Sequence, residues 1–358
     1  MPLHHTLKPT LKRGALIAAA NWPVTVIQAV TDSIFKLLIP APLIGGVFLV
    51  ALVVGSEPVE LLQLERRELV ATILTALPSR PIVLSAFLAA LGVVVIGGSL
   101  FVFLVKAGTV STLVRAERAA GPIEQPPLHL DAVLRADAFS IETFSDATRT
   151  FFPRYARLGA VLMAVYVASG GLLLAAIFGG DRIGWGTTAG FTLAFVLWIT
   201  IVNLFYLLLQ IVIAADDCSV GTAAVRVAAF VRRDWRHVGT VFLAVLAIVI
   251  VAQMASVLAA GALSLLGFVP FFGPLLGVAL LPLSLLALGL RLLVFQYIGL
   301  SSVVAYLTLY RDGIQMHAGL PRRSAEGLDL SRQSAEGADL SRQNAEGADL
   351  SRRSAEGA

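Results

Sequence analysis

The residues of this chain that could do chemistry are few and scattered. Asp216 and Asp217 stand together where a long apolar run ends, and adjacent carboxylates can open an acidic metal site. No further carboxylate or histidine recurs near them at ligand spacing, so polar residues at a helix exit are the simpler reading. The five histidines, His4, His5, His129, His237 and His317, fall in polar segments without HExxH or another ligand spacing. A single cysteine, Cys218, excludes an internal disulfide and every multi-cysteine metal or redox motif. Neither the GxSxG elbow nor a phosphate-cradling or dinucleotide-binding glycine loop occurs. The sequence therefore points to no catalytic residue, no metal and no cofactor, and to a protein that is not an enzyme.

Two basic features stand out. Arg232, Arg233, Asp234, Trp235, Arg236 and His237 form a cluster whose Arg232, Arg233, Trp235 and Arg236 are candidates for contact with lipid headgroups. Each basic group beside an anionic leaflet gains about 1 kcal/mol. The same cluster is also what topological anchoring requires. Arg291 is the second feature, a cation inside an otherwise apolar run and a candidate substrate-binding residue. If its helix starts at Pro274, Arg291 lies near the inner boundary and can snorkel. If the helix starts later and extends to Tyr306, Arg291 moves toward the bilayer centre.

The elements that must position these residues are set by composition. Hydrophobic residues make up 57% of the 358 positions and charged residues 14%, with a mean hydropathy of +0.84. Soluble domains carry about 25% charge, so a soluble globular enzyme is excluded. Six runs have the roughly 20 apolar residues that a spanning helix needs: Phe35 to Val54, Ile82 to Val105, Leu158 to Phe178, Thr188 to Ala215, Val238 to Leu266 and Pro274 to Gln296. Within these limits there is no Asp or Glu, and the cations are Lys36 and Arg291. Lys and Arg number 23 on one side of the implied membrane, against Arg66, Arg67, Arg80 and Arg182 on the other. This asymmetry places both termini in the cytoplasm.

The fold expected is all-α, a polytopic membrane protein with six transmembrane helices in three hairpins and amphipathic interfacial helices. Residues 1–33 form a cytoplasmic N-terminus with an interfacial helix, 34–312 the membrane domain and 313–358 a disordered cytoplasmic tail. In the N-terminal helix, begun by Asn21-Trp22-Pro23, Thr25, Gln28, Asp32 and Lys36 share one face and Ile27, Val30, Ile34 and Leu37 another, a pattern that fits an interfacial helix and equally a helical lead-in to the first span. A second surface helix is expected in the acidic loop from Ser56 to Pro78. Two further elbows precede the third and fifth spans, and a shift of 80 residues lays Tyr155 on Trp235, Leu158 on Val238, Gly159 on Gly239 and Val161 on Val241. From Ser324 the tail repeats every ten residues (SAEGLDLSRQ, SAEGADLSRQ), too short and too alanine-rich to stack as a solenoid.

The elbow from Asp217 through Trp235 to Gly239, with the closing segment Val303 to Asp312, resembles uncharacterised bacterial six-span families related to the membrane domain of glycerophosphodiester phosphodiesterases. The catalytic barrel of those phosphodiesterases has no counterpart here, so the resemblance implies the membrane fold and not the activity. The expected role is an accessory or scaffold protein of the cytoplasmic (inner) membrane. Its partners would be the lipid bilayer with its anionic headgroups and other membrane proteins, and no nucleic acid. The alternative is a transporter or channel for a small or lipidic solute.

Overall fold

A computed structural model describes residues 4–55, 81–124, 130–178, 185–267 and 273–317. All regular structure among them is helical, and six helices are long and apolar enough to cross a membrane. The helices are α1 (His4–Ala20), α2 (Trp22–Leu38), α3 (Pro40–Val54), α4 (Pro81–Ala119), α5 (Leu130–Ala136), α6 (Ile141–Phe178), α7 (Trp185–Asp216), α8 (Val220–Gly267) and α9 (Gly273–His317). The acidic surface helix expected at 56–78, Arg66, Arg67, Arg80 and Arg182, and the repeating tail lie outside the described residues.

Several helices are much longer than a bilayer requires. α8 has 48 residues and α9 has 45, about 70 Å each at 1.5 Å per residue, against about 30 Å of hydrocarbon. The excess lies at one end of the bundle, which holds the tight core. Ile17, Leu113, Tyr155, Leu208, Val227 and Tyr306 are fully buried there, with polar Thr109, Thr112 and Gln210 beside them. Toward the other end the same helices expose Ile82, Val93, Leu172, Leu193, Val251 and Leu286. Water would not tolerate that much contiguous apolar surface, whereas lipid solvates it.

The first span differs from its expected limits. α2 and α3 are separated only at Ile39, and the candidate span begins at Trp22. On α2 the polar Thr25 and Gln28 are 6% and 5% exposed, while Val30 and Leu37 are 52% and 77% exposed. The amphipathic pattern is real, but its polar side packs against protein and its apolar side faces outward. Such an inverted face suits a helix surrounded by lipid. The candidate helix that begins at Trp22 also carries Asp32, one turn before the apolar run from Phe35.

Side-chain contacts give the register between helices. α2 and α3 run antiparallel to α4, with Gln28 bonded to Thr109, Phe35 packed on Gly98 and Gly46 on Phe87. α4 and α6 are antiparallel too, with Gly108 against Phe144 and Gly159 against Phe103. α9 runs parallel to α4, since Arg311 pairs with Glu117 at the packed end. The elbows before the third and fifth spans are helical and continuous with their spans. The second of them bends away at Asp234, whose φ of −112° and ψ of 27° leave the helical region.

The repeat at 80-residue spacing does not extend to environment. Leu158 and Val238 are both buried, but Tyr155 is buried where Trp235 is exposed, and Val161 is exposed where Val241 is buried. The Tyr155 hydroxyl donates to the Gln210 carbonyl inside the core. Trp235 follows the bend of α8 and points out.

Candidate functional site

Three polar groups of residues stand out, at successive depths in the bundle. Deepest in the packed end is Glu117 on α4, whose side chain is 8% exposed. Its carboxylate accepts from Arg13 of α1 at 3.1 Å and from Arg311 of α9. Arg13 also donates to Glu124 at 2.9 Å and to the Glu117 and Gly121 carbonyls, and Lys12 donates to the Glu124 carbonyl at 3.0 Å. The clasp thus joins the first and last described helices through one buried acid. A charge so enclosed is tolerable only because it is paired on both sides. Sequence reading missed it because Arg13, Glu117 and Arg311 are far apart in the chain and no local motif relates them.

Beside the clasp, Asn21 is fully buried between α1 and α2. Its amide donates to the Ile17 and Ala136 carbonyls at 3.0 and 2.7 Å, and its oxygen accepts from the Ala138 amide at 3.1 Å. Asn21 therefore fixes α5 and the approach to α6 rather than serving as a side-chain cap for α2, for which no such bond forms.

The acids near the basic cluster are paired, and with them one of the cluster's three arginines. Asp216 accepts from Arg226 at 2.5 Å and from the Tyr310 hydroxyl at 2.6 Å, and Asp217 pairs with Arg154. These two acids end α7, with Asp217 in the left-handed region at φ 47°, a conformation that Asp adopts more readily than most residues. Arg233 pairs with Asp234 at 2.9 Å and packs toward Gly313. Arg232, Trp235 and Arg236 are exposed, and Arg236 lies over the Trp235 ring at 5.6 Å. Of the four candidates for headgroup contact, Arg233 is thus engaged by protein and the other three face outward. Between α7 and α8, burial pushes the Cys218 thiol above its ordinary pKa, with Asp216 adding to the shift and Arg226 and Arg154 opposing it.

The third group lies among the apolar segments. Asp32 Oδ2 accepts from Lys36 at 2.7 Å and from Gln296 Nε2 at 3.2 Å, joining α2 to α9. Lys106 on α4 places its ammonium 5.3 Å from the Tyr206 ring centroid. On the other flank of α9, Arg291 donates to Gln253 Oε1 of α8 at 3.2 Å and lies over Phe295 at 5.8 Å. Phe295 is one turn nearer the packed end, the direction of snorkelling.

The depth of Arg291 follows from register. It precedes Arg311 by 20 residues, about 30 Å along the helix, which brings it level with Gly98 and Phe35. That level lies roughly 8 residues, or about 12 Å, inside the Val105 end of the apolar run of α4. α9 both starts at Gly273, where the shallower placement of Arg291 has it begin, and continues past Tyr306. A cation at bilayer depth costs about 2.5–3.5 kcal/mol on insertion scales, and Gln253 is a neutral partner.

Among the described residues no group of three or more His, Cys, Asp or Glu could hold a metal ion. Compared with protein-family profiles, curated proteins and solved structures, the chain finds no match. What the geometry itself establishes is an all-α protein with six helices suited to cross a membrane and a polar, densely packed core at one end.

Proposed function

We propose that this is a non-enzymatic scaffold or accessory protein of the cytoplasmic membrane, with its packed end in the cytoplasm. The observation that carries the reading is the combination of that packed end, clasped through Glu117, with the outward-facing Arg232, Trp235 and Arg236 beside it. A packed core holding a tryptophan and two arginines that make no ion pair among the described residues suits attachment to anionic headgroups, because tryptophan favours the interface and basic groups favour the anionic leaflet. The excess of Lys and Arg in segments that reach this end supports the orientation. The kinship expected with the six-span bacterial families is part of the same proposal.

One observation favours the alternative, a transporter or channel for a small or lipidic solute. Asp32, Lys36 and Gln296 lie together where α2 meets α9, and ionisable residues among spanning segments commonly mark a solute or proton path. Purified protein in phosphatidylcholine–phosphatidylglycerol vesicles separates the two in flux and lipid-scrambling assays. The scaffold reading expects no movement above empty vesicles. Movement that is lost in Asp32→Asn or Arg291→Gln rejects it in favour of transport.

A further inference from the structure

Arg291 sits where the bundle itself leaves its charge uncompensated. α8 and α9 run antiparallel, with Phe230 meeting Tyr310 in the packed end and Gln253 meeting Arg291 farther out. Arg291 and Gln253 are both exposed. On the same stretches of α8 and α9, Val251, Met254, Leu258, Leu286, Leu288 and Leu290 are exposed as well, so the pair lies on helices whose outward positions are apolar. No ion pair among the described residues includes Arg291. Lys36, at a comparable depth on α2, is compensated by Asp32 at 2.7 Å.

A guanidinium presents a planar fork of N–H donors, and an amide oxygen engages one edge without cancelling the charge. Headgroup phosphates lie in the interfacial plane, about 12 Å away along the helix by the register above. Charge complementarity at this depth is met instead by a carboxylate carried on another apolar helix. An acid so placed gains as much as the arginine, since each is otherwise a lone charge in hydrocarbon.

We propose that the Arg291–Gln253 face of α8 and α9 docks a membrane-spanning helix of a partner protein that carries one Asp or Glu at matching depth. The carboxylate takes the guanidinium fork, Gln253 holds that fork in place, and the surrounding aliphatic side chains pack helix against helix. This deepens the scaffold reading and rests on it, naming the chemistry of what the scaffold gathers.

The test uses the full chain in phosphatidylcholine vesicles with a synthetic leucine-rich spanning peptide bearing either Glu or Gln at its centre. Association is read by energy transfer at about pH 10, since burial in hydrocarbon raises a carboxylate's pKa by up to about 3–5 units. The wild type is expected to prefer the Glu peptide by ~tenfold, a ratio typical of one charge-assisted contact. The preference should vanish in Arg291→Gln, fall in Arg291→Lys and stay intact in Arg149→Gln, an exposed arginine of α6. Equal binding of the two peptides, or a preference that survives Arg291→Gln, overturns the proposal. So does a preference abolished by adding phosphatidylglycerol, which assigns the arginine to lipid phosphate. The flux and scrambling assays contain no peptide, so failure of the scaffold reading is seen separately.

Discussion

Glu117 concentrates the energetics of the packed end in one side chain. Two arginines from opposite ends of the described chain converge on it, and its side chain is almost out of water. Removing one partner from a buried ionic group typically costs about 3–5 kcal/mol because the remaining charge is stranded. Glu117→Gln is therefore expected to lower stability by about 3 kcal/mol, seen as an earlier unfolding transition in detergent; an unchanged transition would refute the clasp. Asn21→Ala strands the Ala136 carbonyl and Ala138 amide that Asn21 now satisfies. The expected loss is about 2 kcal/mol in the same measurement. Cys218 offers a check on local environment. With its thiol pKa raised by burial, the thiolate fraction is still growing where an exposed cysteine begins to saturate. Its maleimide labelling rate should keep rising at pH values where that of a free cysteine has levelled off, and a pH profile that coincides with the free cysteine's would contradict the burial.

At the scale of elements, the placement of α1 is the main surprise. It packs on α9, with Gly14 so close that a Cβ would overlap the Ser301 carbonyl oxygen and crowd the Ala305 amide. The Tyr297 hydroxyl donates to the Ala15 carbonyl at 2.9 Å. Gly14→Leu is expected to undock α1 and expose Lys12 and Arg13 to trypsin, whereas Gly45→Ala, with open space at its Cβ, should leave digestion unchanged. Equal protection of both variants would show that the close approach is dispensable. The spans and elbows were legible as helices because apolar length and 3.6-residue periodicity are local properties. The direction in which α2 presents its polar face was not legible. Thr25, Gln28 and Asp32 look the same in sequence whether headgroups or neighbouring helices receive them, and only Thr109 and Gln296 decide the matter. The bend at Asp234 was equally hidden, since no proline or glycine marks it.

At the scale of the whole molecule, the packed and apolar halves form one object with two solvents. If the packed end is cytoplasmic, an impermeant maleimide should label Cys218 in inside-out vesicles and not in intact cells; the reverse pattern would invert the topology. Hydropathy by itself determined that the chain is all-helical and that six segments suit a bilayer, because the hydrophobic effect acts on each segment's own composition. The uneven distribution of Lys and Arg likewise sets the expected orientation without reference to any contact. Tertiary structure alone decided which charges are partnered. Glu117 gained two arginines, Asp216 gained Arg226 and Tyr310, and Asp32 gained Lys36 and Gln296, while Arg291 gained the Gln253 amide and the Phe295 ring and no carboxylate among the described residues. Apart from the neighbouring turns between Asp32 and Lys36 and between Arg291 and Phe295, these pairings join residues on different helices. A charge's cost depends on the partner and the dielectric that packing supplies, and neither is a property of its place in the sequence.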